Sequence, residues 1–229
     1  MKVAELFYSI QGEGKLMGVP SVFVRASGCN LRCVWCDTPY ASWQPEGEER
    51  SVDWIVQQAL NHPARHVVLT GGEPMIMPEI GELCSRLKSE GCHLTMETAA
   101  TVYQPVQIDL ASLSPKLSNS TPWETEEGRF APSHEKKRLN VPVIQQFIDR
   151  SPDFQLKFVV ARPADLEEIQ SLLSQLTGWS AADVLLMPEG TDAQTLRTRA
   201  LWISDLCKQT GYRFCARLHV ELYGHMRGT

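Results

Sequence analysis

The chain of 229 residues has no apolar run long enough to cross a membrane as a helix. Its start, Met1-Lys2-Val3-Ala4-Glu5-Leu6, carries no apolar core of the kind a secretory leader needs. A cytoplasmic protein without a membrane partner is the expectation. Positive charge is not in excess either: 22 Lys and Arg against 27 Asp and Glu leave a net charge of -5, so no long-range field gathers nucleic acid or an anionic surface. A small molecule is the expected ligand. The 7 cysteines are an odd number, which does not make a closed disulfide framework and points to a reducing compartment. One domain over residues 1–229 is expected, long enough for a substantial core and somewhat short for a complete eight-unit barrel.

Three of those cysteines lie together in Gly28-Cys29-Asn30-Leu31-Arg32-Cys33-Val34-Trp35-Cys36-Asp37, a C-x3-C-x2-C spacing just after an apolar segment. Three thiolates on so short a loop suit three corners of a [4Fe-4S] cubane, and no fourth cysteine is near to close it. The iron without a protein ligand would be an open Lewis-acid position, as in catalytic rather than structural metal sites. Zinc would want four N or S ligands, and the nearest histidines, His62 and His66, lie beyond a predicted helix. The other four, Cys84, Cys92, Cys207 and Cys215, recur in a helix-then-strand pattern and read as small core hydrophobes.

Apolar periodicity predicts strands at 21–25, 66–70, 92–97, 106–113, 154–160, 183–187 and 212–219. It predicts helices at 52–60 with Ser51 as N-cap, 78–90 with Gly91 beyond its end, 164–176 after Pro163, and 192–209. This alternation predicts an α/β fold with a largely parallel sheet wrapped by helices. The segment 117–141, rich in Ser, Pro, Glu and Lys, is expected as an irregular insertion with Glu135-Lys136-Lys137-Arg138 as a solvated face.

Several polar groups fall where parallel strands end and ligand sites form. Thr70-Gly71-Gly72-Glu73-Pro74 is either a tight strand-to-helix turn or a close backbone approach to a ligand, with Glu73 able to accept from an ammonium group. Glu97-Thr98, Ser114-Pro115-Lys116 and Met187-Pro188-Glu189-Gly190 are expected at the same mouth. Ser9-Ile10-Gln11-Gly12-Glu13-Gly14 pairs an amide with a carboxylate, suited to the edge of a pterin or purine, and reads equally as a surface turn. Arg25, in an otherwise apolar strand, either faces inward to a ligand carboxylate or outward to solvent. Thr38 is a loop hydrogen-bonding residue or an oxygen ligand for a hard cation. His219 is a satisfied core histidine or a ligand contact.

Taken together, QGEG, Arg25, C-x3-C-x2-C-D-T, TGGEP, E-T and S-P-K resemble the 7-carboxy-7-deazaguanine synthase family of the radical S-adenosylmethionine superfamily, over Glu5 to His219. The resemblance implies an abbreviated, partial TIM-like barrel and a radical lyase acting on 6-carboxy-5,6,7,8-tetrahydropterin in queuosine biosynthesis, with loss of ammonia. It implies a [4Fe-4S] cluster on Cys29, Cys33 and Cys36, and Mg2+ on Thr38. S-adenosylmethionine would contact Trp35, Asp37, Gly72, Glu73, Glu97, Thr98, Ser114, Pro115 and Lys116. The pterin would contact Ile10, Gln11, Gly12, Glu13, Arg25, Thr70 and His219. A homodimer and an electron donor such as flavodoxin or ferredoxin are also implied, and nucleic acid is not. Two departures stand out: residues 221–229 extend past the point where many members end, and Met187 to Gly190 lacks a glutamine found in some. A glycyl-radical activase shares the cysteine loop and GGEP but needs no pterin-edge loop. A non-catalytic iron-sulfur or zinc module leaves GGEP and SPK unexplained.

Overall fold

Serine at position 51 starts a helix in the way its type predicts: its hydroxyl accepts from the Trp54 amide at 3.2 Å, filling one of the orphan donors of the first turn. The computed structural model describes residues 1–229. In chain order the elements are β1 (Lys2–Ile10), β2 (Pro20–Ala26), α1 (Pro39–Ser42), β3 (Glu48–Glu49), α2 (Val52–Leu60), β4 (His66–Gly71), α3 (Ile80–Ser89) and β5 (His93–Thr98). They continue with β6 (Leu110–Leu113), α4 (Ala131–Arg138), α5 (Val141–Arg150), β7 (Asp153–Val160), α6 (Asp165–Leu173), β8 (Val184–Pro188), α7 (Ala193–Thr210), β9 (Arg213–Phe214) and α8 (Leu218–Tyr223).

The strands form one sheet in the order β3-β1-β2-β4-β5-β6-β7-β8-β9. All pairings from β2 to β9 are parallel, and β1 runs antiparallel to both β2 and β3. This is an α/β fold with a mostly parallel sheet, built as a partial barrel. Because side chains alternate along a strand, each parallel strand serves two environments. Val67 and Leu69, Leu94 and Met96, Ala111 and Leu113, Leu156 and Phe158, and Val184 and Leu186 join the helices in the main apolar core. The alternate residues Thr70, Glu97, Ser112, Lys157 and Met187 line the inner cavity instead. Register sets neighbours on that face, pairing Arg25 of β2 with Thr70 of β4.

The structure corrects three sequence expectations and adds one element: the stretch 2–10, to which the sequence analysis assigns no element, is a nine-residue strand that carries the Gln11–Gly14 loop to the sheet. The strand expected over 106–113 is confined to Leu110–Leu113, since the Asp109 carboxylate takes the Leu94 amide at 2.7 Å and binds Lys88. The last strand, expected over 212–219, ends at Phe214, and His219 stands on α8. Part of the expected irregular insertion is α4, with Pro132 in its first turn, where a missing N–H is harmless. On α4 Arg138 is half-buried and pairs Glu135 and Glu168, while Lys136 and Lys137 are exposed as expected. No helix is long and apolar enough to cross a membrane.

Candidate active site

A cavity of about 300 Å³ opens at the C-terminal ends of the parallel strands, where a barrel of this kind places its chemistry. The expected residues Ile10, Gln11, Gly12, Glu13, Arg25, Cys29, Cys33, Trp35, Cys36, Asp37, Thr38, Thr70, Gly72, Glu97, Thr98, Ser114, Lys116 and His219 all line it. Glu73 and Pro115 do not. The Glu73 carboxylate is fully buried and accepts from the Met75 amide at 3.1 Å, the Thr98 hydroxyl at 2.7 Å and the Ala99 amide at 2.9 Å. Those bonds tie the turn after β4 to the end of β5. The glycines before it also have a packing reason: a Cβ on Gly72 would collide with the carbonyl oxygens of Gly28 and Ala41. The Glu73 amide donates to Gly28 O at 2.9 Å, and Gly28 N donates to Ala41 O at 2.8 Å, so the glycine turn and the cysteine loop are fastened together.

All seven cysteines are free thiols. Cys29, Cys33 and Cys36 all line the cavity. Three cysteines on one loop without a fourth protein ligand suit a polynuclear cluster, in which each thiolate takes its own iron. Burial pushes the Cys29 thiol up to about 11 and Cys33 up to about 12. Such thiols stay protonated at neutral pH until a metal centre displaces the proton. The loop is braced from outside: the Arg32 amide donates to His134 Nδ1 at 3.1 Å, and His134 Nε2 lies 2.9 Å from the Ser120 hydroxyl. Burial lowers His134 to about 4, so it serves as a neutral acceptor. Cys84, Cys92 and Cys207 are buried in the main apolar core, while Cys215 is buried in a small cluster against Trp35, its sulfur accepting from the Gly14 amide at 3.2 Å.

The same cavity holds a set of buried charges, two of which the sequence reading did not single out. Lys157 Nζ lies 2.5 Å from Glu13 and 3.7 Å from Glu97. Arg217 Nε donates to the other Glu13 oxygen at 3.0 Å, one terminal nitrogen donates to Gly190 O at 2.5 Å, and the other pairs with Asp37. Burial alone would raise the Glu13 carboxyl, but Lys157 and Arg217 outweigh it and hold Glu13 well below the usual carboxylate range. Burial opposes the Lys157 charge, and Glu13 and Glu97 together overcome that and raise it. Glu97, expected beside S-adenosylmethionine, accepts from Gln11 Nε2 at 3.3 Å and Thr70 Oγ1 at 3.1 Å, two of the expected pterin contacts. A signal for Lys157 existed: it is the one cation in the apolar run Phe154-Gln155-Leu156-Lys157-Phe158-Val159-Val160.

Arg25 turns inward. Its Nε donates to Glu5 at 2.5 Å and its terminal nitrogens have no protein partner, while Tyr40 OH donates to the same carboxylate at 2.7 Å. Residues 225–229 return to the cavity mouth, where Arg227 pairs Glu5 and Glu46 and lies 4.0 Å over the Tyr40 ring. Gly12 abuts His219 so closely that a Cβ there would strike the imidazole. Lys116 Nζ donates to the Ser114 hydroxyl at 2.7 Å and sits 5.8 Å above the Trp35 ring.

Residues 23–113 match the Radical SAM superfamily. The chain is 44% identical over 228 residues to the 7-carboxy-7-deazaguanine synthase of Rhodopirellula baltica, covering 99% of this chain and 88% of that protein. It is 46% identical over 233 residues to the 7-carboxy-7-deazaguanine synthase of Halobacterium salinarum, covering 97% and 90%. The crystal structure of QueE from Escherichia coli superposes with a TM-score of 0.70 at 25% identity, covering 95% of this chain and 94% of that one. With the cysteine wall and the strand-end cavity already in place, these likenesses settle the kinship: the chain belongs to the 7-carboxy-7-deazaguanine synthase family of radical SAM enzymes.

Proposed function

We propose that the chain, as one radical SAM domain over residues 1–229, converts 6-carboxy-5,6,7,8-tetrahydropterin to 7-carboxy-7-deazaguanine and ammonia. The observation that carries this reading is one cavity with three free cysteines on one wall and an amide, a carboxylate and an unpaired guanidinium face on the other. When bound, the [4Fe-4S] cluster and S-adenosylmethionine supply the hydrogen-abstracting radical, chemistry no side chain provides.

The residues of this chain then position the pterin. Arg25 presents its two terminal nitrogens as a fork for the substrate carboxylate. Gln11, Glu97 and Thr70 form a connected donor and acceptor row, suited to the guanidine-like edge of the pterin. The Glu13 carboxylate is engaged by Lys157 and Arg217, so its side chain orients the loop and the loop backbone reads the ring. Holding both ends fixes the C6 hydrogen relative to the cysteine wall, which is where orientation lowers a barrier most. Lys116, Ser114, Trp35 and Gly72 are assigned to S-adenosylmethionine. Thr38 is the N-cap position of α1, yet its hydroxyl makes no capping bond and only approaches the Cys36 sulfur at 3.9 Å. It is therefore available as an oxygen ligand for Mg2+. A cytoplasmic homodimer with a protein electron donor completes the reading.

The test is anaerobic reconstitution with iron and sulfide, followed by dithionite, S-adenosylmethionine, Mg2+ and the carboxypterin. A deazapurine chromophore with S-adenosylmethionine conserved is expected. A fully reconstituted cluster that cleaves S-adenosylmethionine and leaves the pterin intact would overturn the substrate assignment.

A further inference from the structure

The Glu5 carboxylate is divided between two guanidinium groups that both line the cavity. Its Oε1 accepts from Arg25 Nε at 2.5 Å and from the Tyr40 hydroxyl at 2.7 Å, while its Oε2 lies 3.4 Å from Arg227 Nε. An arginine beside a carboxylate frequently takes both oxygens in two parallel bonds. Arg25 takes only one, and its two terminal nitrogens stay unpaired although a carboxylate stands next to them. The second oxygen is the one that Arg227 engages. Because the Glu5 side chain is only 11% exposed, that oxygen has little water to fall back on and would turn to the nearest free donor if Arg227 left. Arg227 is itself held on every side. One terminal nitrogen pairs Glu46 at 2.9 Å, the other donates to Ala4 O at 3.2 Å, and the group lies 4.0 Å over the Tyr40 ring. Two residues earlier, His225 Nε2 lies 3.0 Å from Asp37 O, which fastens the segment to the cysteine loop. Arg25 in turn rests 5.7 Å from the centre of the Phe7 ring, which stacks on Phe23. The carboxylate of Asp37, the other nearby anion, is taken by Arg217.

We infer that Arg227 is a positioning residue for the substrate carboxylate: by engaging the second oxygen of Glu5 it prevents a closed Glu5–Arg25 pair and keeps the Arg25 fork open. The inference deepens the reading of the cavity as a carboxypterin site and rests on it. Glu5 then has two duties that need different oxygens. Through Oε1 it orients the Arg25 guanidinium, and through Oε2 it is kept from competing with the ligand for the same two nitrogens. Selectivity follows from this division, because a ring that carries a carboxylate gains a bidentate partner and the same ring without one does not.

The test is binding, read from pterin fluorescence on protein reconstituted with its cluster under anaerobic conditions and saturated with S-adenosylmethionine. The probes are 6-carboxypterin, which is already aromatic and is not turned over, and pterin itself, the same ring without the carboxylate. In Arg227→Ala the Kd of 6-carboxypterin is expected to rise about tenfold, the scale of one hydrogen bond to a charged group, while the Kd of pterin stays at its wild-type value. Arg227→Lys keeps a cation for Oε2 and is expected to recover most of the loss. Glu5→Gln removes the competing anion, so adding R227A in that background is expected to change the 6-carboxypterin Kd no further. A segment that merely shaped the mouth would weaken both probes alike and would do so in E5Q as well. Either of those results, or an unchanged 6-carboxypterin Kd in R227A, overturns the role of Arg227 alone. Loaded wild-type protein that binds neither probe, or binds the two equally, overturns the carboxypterin reading of the cavity and the inference with it.

Discussion

Replacing Lys157 with methionine keeps most of the side-chain length and removes the charge, which isolates the role of the buried cation. In the native protein Lys157 lies between two carboxylates, 2.5 Å from Glu13 and 3.7 Å from Glu97, with its side chain 6% exposed. Without it, Glu13 keeps Arg217 and Glu97 keeps only neutral donors. Removing one partner of a buried pair destabilises by about 3–5 kcal/mol; with Arg217 retained, the low end applies, about 3 kcal/mol. For a chain of this size that lowers Tm by roughly 6–12 °C. The sign with pH follows from the shifts. Glu13 is held below its ordinary 4.5, so its contribution is present above that pH and lost as pH falls toward the folded value. Lys157 is raised above its ordinary 10.5, so its contribution is present below that pH and lost as pH rises through the folded value. The Tm gap between wild type and K157M is therefore flat across neutral pH and narrows below pH 4.5. At the site, a displaced Glu13 loop lowers kcat/KM for the pterin by about 100-fold, while S-adenosylmethionine affinity is unchanged and K157R recovers most of the Tm. Calorimetry, isothermal titration and steady-state kinetics read these quantities. A K157M protein with native Tm and native kcat/KM would refute the reasoning.

His134→Ala removes the acceptor for the Arg32 amide and the partner of Ser120. It is expected to lower stability by about 1–3 kcal/mol and to speed loss of iron to a chelator several-fold, followed by absorbance. Gly12→Ala drives a methyl group into His219, so the KM for the pterin rises while S-adenosylmethionine binding, measured by titration, stays native. Cys33→Ala is expected to abolish both iron content and turnover after reconstitution. Cys84→Ala keeps both at the expense of about 1–2 kcal/mol of core packing; equal loss in the two would refute the division of the cysteines.

Where periodicity was strong, the sequence was legible. The helix over Val52–Leu60 and its Ser51 cap were read to the residue, and the apolar runs at His66 and Phe154 were read as buried parallel strands. Helix α4 was missed because Ala131-Pro132-Ser133-His134-Glu135-Lys136-Lys137-Arg138 offers almost no apolar face; it is held by His134 and Arg138 through polar bonds formed far along the chain. Helix α8 was missed because it is short and follows a strand that tertiary contacts cut off. The candidate site was legible where a motif compresses it into a few neighbours, as in the cysteine loop. Lys157 and Arg217 escaped because their partners are distant: Glu13 lies 144 residues from one and 204 from the other. Glu73 was read from its motif as a ligand contact, whereas the fold surrounds it with three internal donors.

Arg217 joins stretches far apart in the chain, since Glu13 lies 204 residues before it and Asp37 180 residues before it. Until the segment that carries Arg217 folds back, the Glu13 and Asp37 loops have no guanidinium to bind, and long-range closures of this kind are late and slow. A partly folded chain would carry the thiols without the clasp. The charged clasp beside the thiols is in this sense tied to closure of the far edge of the sheet onto the first loops, and not to any local turn.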